Sequence, residues 1–446
     1  MRAFLYLREF VKKERTNHYL QSFLISERLS TDNLKKLQLE KLIELLKYLK
    51  RNSPFFSKYL KENDIKLDRD WKDNPDILIA KLPITDKLFI KKNSEGWLTL
   101  NKDSKLSNAT TSGSTGMPFR ILHSSASRDV KAACKFRLLA WHGVKKGEKQ
   151  LYFGCTYSSQ KSKLSSLKIS LNNKYVLNKI VIDFTKIREE NIAKEIERIN
   201  IEKPLTVWGY PSAIFEIAKY SIRNKLPITN EKLKMVILSG ESNSQYMKDI
   251  IKQAFSLEPD DEYNSNEGFI AGTCEFHKLH LNDDTLIAEI LHEDGTVSEY
   301  GKGELLVTFL YSFDFPFIRY NTGDIVEISE GKCQCGRNLK VLSAVDGRRG
   351  EVIYNGEDKI SNSTCNHYLT KSLYIDTINK YQIVQNDFTS VTIKLSVSDT
   401  NRDYNGLELL MKGLFDKLVV NFEYVDDIPR DKSGKYRDVI NNIKQA

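Results

Sequence analysis

Thr110-Thr111-Ser112-Gly113-Ser114-Thr115-Gly116-Met117-Pro118 interrupts a chain of 446 residues with a run of hydroxyls and glycines. Gly113 and Gly116 free the backbone to wrap an anion. The hydroxyls of Thr110, Thr111, Ser112, Ser114 and Thr115, with successive N–H groups, can bind phosphate oxygens. The run is not a Walker A loop, because the Gly-Lys-Ser/Thr ending is absent. The residues that follow, PFRILHS, also read as a strand rather than the helix such a loop opens. A plain flexible Ser/Gly/Thr turn has the same composition, so the rest of the chain must decide.

Working outward, the texture from about Leu82 is mixed. KQLYFGCTY, PLTVWGYP, KMVILSGE and GELLVTFLY read as buried strands, with REENIAKEIERINIEK and PSAIFEIAKYSIRN as helices between them. That alternation predicts an α/β fold with helix-covered sheets. Upstream, LKKLQLEKLIELLKYLKRN sets Leu37, Leu39, Leu42, Leu45, Leu46 and Leu49 near one helical face, with Asp32 or Asn33 expected as the cap. Pro54 disfavours helical geometry at Ser53 and should stop that helix. Beyond Gly347 the pattern restarts. KYQIVQND and TSVTIKLSVS read as strands, GLELLMKGLFDKLV as a helix, and FEYVDDIPRDKSGKYRD as a strand entering a polar loop. The expected organisation is a large multi-sheet α/β domain over 1–346, helical over 1–80, followed by a small α+β domain over 347–446.

Composition narrows the partners. Lys and Arg total 68 against 59 acids, a net charge of +9, but the charges are scattered rather than blocked. That favours a solvated basic surface with one anion pocket over nucleic-acid binding. No stretch of 18 apolar residues suggests a membrane span. The opening MRAFLYLREFVKKERTNHYL is too broken by charge for a signal peptide, so a cytoplasmic protein is expected. Six cysteines without an export signal read as reduced thiols or metal ligands. An oligomer is compatible with all of this.

Five further segments carry chemistry-bearing residues. Ser239-Gly240-Glu241 follows the apolar strand MVIL and could be a strand-end turn. Tyr263-Asn264-Ser265-Asn266-Glu267 reads by itself as a surface loop. Arg319-Tyr320-Asn321-Thr322-Gly323-Asp324 contains a Thr-Gly-Asp turn, and Gly347-Arg348 follows it. Pro429-Arg430-Asp431-Lys432-Ser433-Gly434-Lys435-Tyr436-Arg437 could be a solvated basic tail.

Taken in order, these segments resemble the motifs of the adenylate-forming superfamily of acyl-CoA synthetases, luciferases and peptide-synthetase adenylation domains. The resemblance implies that Thr111, Ser112, Gly113, Ser114, Thr115 and Gly116 hold the phosphates of ATP. Ser239, Gly240 and Glu241 would line the adenine pocket. Tyr263 and Asn264 would lie at the adenine, with the Tyr263 ring stacked on it, and Glu267 would hold Mg2+. Asp324 would bind the ribose, Arg348 would reach the ribose or phosphate, and Lys435 would be the catalytic lysine of a mobile lid. Met117 stands where the family commonly has Lys, Asn264 and Asn266 where it has Gly and Thr, and Gly350 where it has an acidic hinge residue. NSPFFSKYL and LPITDKLFIKKN narrow the resemblance to phenylacetate–CoA ligases and the related CapK-like proteins of polysaccharide clusters. The implied partners are ATP, a small carboxylic acid and a thiol, CoA. Transfer to an amine on a sugar or amino acid is the alternative, and a non-catalytic nucleotide-binding homologue is a third reading.

Cys274, His277, His280, Cys333 and Cys335 supply thiols and imidazoles of the kind Zn2+ selects, although the spacing is not C-x2-C. Free buried cysteines or a Cys–His nucleophile pair are rival readings. The CapK-like branch carries a similar Cys…His…Cys-x-Cys-Gly-Arg arrangement, which implies a structural Zn2+ on Cys274, His280, Cys333 and Cys335, with His277 left out.

Overall fold

Leucines at helical spacing shape the start of the chain. The computed structural model describes residues 14–68, 71, 75–99, 106–111, 119–154, 169–184, 187, 189–348, 352–372, 374, 377–430 and 436–443. Helices α1 (Thr16–Ser26), α2 (Thr31–Asn52), α3 (Pro54–Glu62), α4 (Pro75–Ala80), α5 (Lys87–Lys92) and α6 (Ser94–Trp97) come first. On α2, Leu39, Leu42, Leu45, Leu46 and Leu49 are buried and Leu37 partly so; each buried leucine contributes about 1.5–3 kcal/mol. The cap is Ser30, not Asp32 or Asn33: its Oγ accepts from Asn33 N at 3.3 Å. A serine oxygen just outside the helix reaches an amide of the first turn, whereas Asp32 already lies inside that turn. The helix does stop at Ser53, and a new one begins at once. Pro54 takes the first position of α3, where a missing N–H costs nothing, and Ser53 Oγ accepts from Phe56 N at 3.4 Å.

The α/β alternation expected from the sequence follows. An antiparallel hairpin of β1 (Ser107–Thr111) and β2 (Phe119–His123) leads into α7 (Ser125–Trp141). Then come β3 (Gln150–Gly154), β4 (Lys179–Asp183), α8 (Glu189–Glu202), β5 (Thr206–Gly209), α9 (Pro211–Arg223), β6 (Met235–Ser239), α10 (Gln245–Phe255) and β7 (Asp260–Asn264). These strands lie parallel in the order β4-β3-β5-β6-β7. Parallel pairs need crossovers, and α8, α9 and α10 supply them. Ile196, Ile199, Ile214 and Ile251 from these helices pack with Val236 and Leu238 of β6. The alternate residues Met235 and Ile237 meet Ala133 and Leu138 of α7 on the other face, so both faces are covered.

β8 (Phe269–Thr273), β9 (Leu279–Leu281), β10 (Leu286–Leu291), β11 (Val297–Ser298), β12 (Gly301–Phe309), β13 (Tyr320–Ser329) and β14 (Val341–Arg348) add an antiparallel half. The resulting 12-stranded sheet runs β11-β10-β12-β13-β14-β9-β8-β7-β6-β5-β3-β4. β4 lies on one side of β3 and β5 on the other, so the order reverses there. In open sheets a crevice forms beyond the strand ends at such a point.

A smaller unit follows: β15 (Val352–Asn355), β16 (Asp358–Ser361), α11 (Asn362–Lys371), β17 (Ile378–Gln385), β18 (Ser390–Val397), α12 (Asn405–Leu414), β19 (Val419–Tyr424) and β20 (Val439–Asn441). Its four-stranded sheet, β19-β18-β17-β20, packs Ile383, Ile393 and Leu395 against Leu407, Met411 and Phe415. No helix among the described residues is long and apolar enough to cross a membrane.

One buried ion pair fastens α1 and α7 to the sheet. Arg137 grips Asp284 through two contacts of 2.5 and 3.0 Å and donates to Phe23 O at 3.2 Å, while Ser26 Oγ donates to Asp284 at 2.5 Å. Both charged side chains are at most 1% exposed. Arg137→Met should therefore leave a stranded carboxylate and cost about 3–5 kcal/mol, while Arg137→Met with Asp284→Leu recovers most of that loss. Urea unfolding checks this: equal midpoints for the single and double variants would show that the pair does not act as a unit.

Candidate active site

The loops at the carboxyl ends of β6 and β7 and the start of β13 meet at one cleft of about 1380 Å³. Tyr263 lies one residue before the end of β7 and Asp324 lies in β13, 61 positions later, yet the Tyr263 hydroxyl donates directly to the Asp324 carboxylate. Asp324 N donates to Thr322 Oγ1 at 3.1 Å, and Gly323, at φ +74°, makes the turn that aims the carboxylate. Arg348 is the register partner of Asp324 across β13 and β14. Glu267 lines the same cleft. One of its oxygens accepts from the Tyr320 hydroxyl at 3.2 Å, and the other has no hydrogen-bond partner among the described residues.

The LPIT segment explains its own presence here. Thr85 pairs with Tyr320, Asn321 N donates to Thr85 O at 2.7 Å, and Thr85 Oγ1 donates to Ile318 O at 2.8 Å. Arg319 is held at φ +40° and binds Glu289 at 3.0 Å and Leu82 O at 3.1 Å. Its guanidinium therefore braces the strand and does not point at a ligand.

Thr111 ends β1 opposite Phe119, the first residue of β2. Ser112, Gly113, Ser114, Thr115 and Gly116 lie outside the described residues, as do Gly350 and Lys435. The hairpin base is tied to the site. Arg128 Nη1 donates to Ser107 Oγ at 2.7 Å and to His123 O at 3.1 Å, and Lys131 Nζ on the same helix donates to Ser265 O at 2.5 Å.

Ser239, Gly240 and Glu241 separate in role. Ser239 Oγ donates to Glu262 at 3.4 Å, and Gly240, at φ +88°, sits on the cleft wall. Glu241 is fully occupied by protein. It accepts from Ser212 N at 3.1 Å, Ser212 Oγ at 2.6 Å, Arg430 Nη1 at 3.4 Å and Tyr436 N at 2.8 Å. Burial pushes its pKa up, while Arg430 and the hydrogen bonds pull it down. Arg430 also meets Glu216 at 3.2 Å and lies over the Phe184 ring at 4.7 Å. The segment beside Lys435 is thus docked at the cleft. Sequence reasoning did not assign this docking role to Glu241 and Arg430, because the pairing spans 189 positions.

Cys274, His280, Cys333 and Cys335 present ligand atoms within 4.8 Å of one another. Cys274 Sγ is 3.7 Å from Cys333 Sγ, and Cys335 Sγ is 3.4 Å from His280 Nε2. Ligands about 2.3 and 2.1 Å from a tetrahedral zinc stand about 3.4–3.8 Å apart, so the donor set fits. His280 Nδ1 lies 3.0 Å from Leu339 O, a contact that leaves Nε2 as the free lone pair, and burial holds its pKa below the usual range. His277 turns away to Asp260 at 2.9 Å. Arg337, next to the Cys-x-Cys turn, binds Glu27 at 3.0 Å and Glu275 at 2.6 Å. Arg337 thereby ties Glu27, the residue that follows α1, to the segment beside Cys335.

This two-unit α/β architecture, with its cleft at the strand ends, is that of the adenylate-forming enzymes. A 2-hydroxyisobutyryl-CoA ligase in its postadenylation state superposes with a TM-score of 0.74 at 17% identity, covering 93% of this chain and 91% of that one. The same ligase in its thioesterification state gives 0.58 over the same shares. Residues 352–442 match the CapK C-terminal domain. Protein CapK of Staphylococcus aureus is 28% identical over 98% of this chain and 95% of its own length. The phenylacetate-coenzyme A ligase of Aromatoleum evansii is 22% identical over 73% of each. The likeness to CapK therefore runs along nearly the whole chain, and that to phenylacetate-coenzyme A ligases along about three quarters of it.

Metal analysis of the purified protein should find about one zinc per chain, and a Cys333→Ser, Cys335→Ser variant should lose it and melt at a lower temperature. A metal-free wild type with the same melting temperature as the variant would refute the site.

Proposed function

We propose that this chain activates a carboxylic acid with ATP through an acyl-adenylate and passes the acyl group to a thiol, CoA. One observation carries the reading: Tyr263 and Glu267 of one motif and Asp324 of another, 61 positions after Tyr263, line a single cleft together with Tyr436, the neighbour of Lys435. Tyr263 stacks on adenine, and Asp324, oriented by the Tyr263 hydroxyl, accepts from the ribose hydroxyls. Residues 111–116 wrap the phosphates, and Arg348, beside Asp324 in the sheet, reaches the ribose or phosphate. The oxygen of Glu267 left free by Tyr320 suits a hard cation, and Mg2+ held there would neutralise phosphate charge.

The reacting carboxylate attacks the α-phosphorus, and pyrophosphate leaves. Negative charge grows on the phosphoryl oxygens as the bond forms, and the Lys435 ammonium, brought in by the docked C-terminal segment, stabilises it. Docking through Glu241 also fixes the reactants in line, which phosphorus chemistry rewards. The lid then turns to admit the thiol. The better match to a ligase in its postadenylation state than to the same ligase in its thioesterification state supports the reading that the docked arrangement serves the first half-reaction. The domain junction belongs near Gly347, where the large sheet ends. The cysteine cluster serves structure, since four protein ligands fill a zinc shell.

ATP–pyrophosphate exchange over a panel of acids tests the reading. Lys435→Ala should reduce exchange by about 100-fold or more, the size of losing one preorganised charge at the transition state. Unchanged exchange in that variant, or ATP binding without exchange for any acid, would sink it. Adding CoA or amino acceptors to the activated mixture identifies the acceptor, as thioester or as amide.

A further inference from the structure

The acid beyond its reacting carboxylate meets a second cluster, on the α7 face of the sheet. Tyr152 of β3 and Trp208 of β5 are register partners, and their rings lie 4.0 Å apart at 31°. They sit where the strand order reverses, the place at which such sheets take ligands. Two ammonium groups rest on this stack. Lys179 Nζ is 4.0 Å from the Tyr152 centroid and 4.5 Å from that of Trp208, and Lys135 Nζ is 4.2 Å from the Trp208 centroid. Lys131, one helical turn before Lys135, lines the main cleft together with Tyr152.

The charges here do not balance. Glu262 pairs with Lys135, and Glu267 is committed to the divalent cation under the reading above. Lys179 has neither an ion pair nor a side-chain hydrogen bond among the described residues; its ammonium lies over ring faces, and the carboxylate whose charge acts on it, Glu262, is already paired with Lys135. Burial, with Lys135 adding to it, pulls its pKa down to about 8. A ring face offsets part of the cost of enclosing a cation, and an anion offsets the rest. A second observation is independent of charge. The Trp208 indole Nε1 is buried with no hydrogen-bond partner among the described residues. An indole N–H only donates, so what it lacks is an acceptor.

We propose that the acid activated in this cleft carries a second anionic group, held by Lys179 and the Trp208 indole N–H beside the Lys135–Glu262 pair. The inference rests on the carboxylate-activation reading and narrows its substrate to dianionic acids, whose second group is a carboxylate or a phosphate. Hydrophobic acids that match the cleft only in size lack the charge that Lys179 requires.

Exchange assays with matched pairs decide it: glutarate beside pentanoate, isophthalate beside benzoate, and 3-phosphoglycerate beside glycerate. At least one dianionic member should exceed its partner in kcat/KM by about tenfold or more, the worth of one charge-assisted hydrogen bond. The winning pair separates a carboxylate from a phosphate. Lys179→Met should erase that preference through the KM for the acid, with the KM for ATP unchanged, and Lys179→Arg should retain it. Exchange that favours the singly charged members, or a preference that survives Lys179→Met, would overturn the proposal and leave acid activation standing. No exchange with any of the six would overturn both.

Discussion

Glu241 cannot sit buried without donors, and half of its donors come from the far end of the chain. A carboxylate removed from water is stable only when its lone pairs are filled. Ser212 supplies a backbone and a hydroxyl donor from the start of α9, and Arg430 and Tyr436 N supply the rest. Docking of the C-terminal unit is therefore the completion of this one group's solvation. With the unit swung away, Glu241 would face the open cleft and take water in exchange. The two arrangements would then differ by little in free energy, as the lid motion proposed above requires. Lys219 Nζ donating to Ile378 O at 2.8 Å adds a second contact of the same modest kind.

The sequence carried the fold further than it carried the site. Apolar runs such as MVIL and the helical face of α2 follow from periodicity, because burial of one face is a local rule. Even so, the cap fell to Ser30 and not to Asp32 or Asn33, since which oxygen lies just outside the first turn depends on where the helix starts. The expected helix GLELLMKGLFDKLV ends at Leu414, where Phe415 turns inward to the core. In the site, residue types were legible and partnerships were not. Tyr263 and Asp324 could each be picked out by motif, but their contact joins strands 61 positions apart. Glu241 was read as lining the nucleotide pocket, and nothing near it in sequence signals Arg430. The cysteine cluster was the exception through the branch resemblance, since thiols and imidazoles alone left free cysteines and a Cys–His pair open. Choosing between His280 and His277 required the branch resemblance.

Strand β7 shows how one element serves two halves of the cleft. Neighbouring residues of a strand point to opposite faces. Tyr263 meets Asp324 of β13, whereas Glu262 meets Lys135 of α7 and takes hydrogen bonds from Ser239 and Asn264 at 3.4 and 3.0 Å. A nucleotide held by the first and an acid held near the second would therefore lie across the end of the same strand. A one-residue slip of β7 would exchange these faces and separate the reactants. Thr273 holds the register, since its Oγ1 accepts from Asp261 N at 2.9 Å and donates to Asp261 O at 3.0 Å.

That register is also where the cysteine–histidine cluster would bear on the proposed chemistry. Cys274 directly follows β8, the antiparallel neighbour of β7, and His280 pairs with Gly272 of β8 and Val341 of β14. A metal gripping Cys274, His280, Cys333 and Cys335 would lock β8, β9 and the approach to β14 to one another, and β14 ends at Arg348 beside Asp324. The cluster would stiffen the sheet on which Tyr263 and Asp324 must stay within hydrogen-bond reach. The lid needs the opposite property, weak contacts that part easily. Under the proposed mechanism the small unit, held to the large one by polar contacts such as Arg430 to Glu241 and Lys219 to Ile378, would be the part that moves.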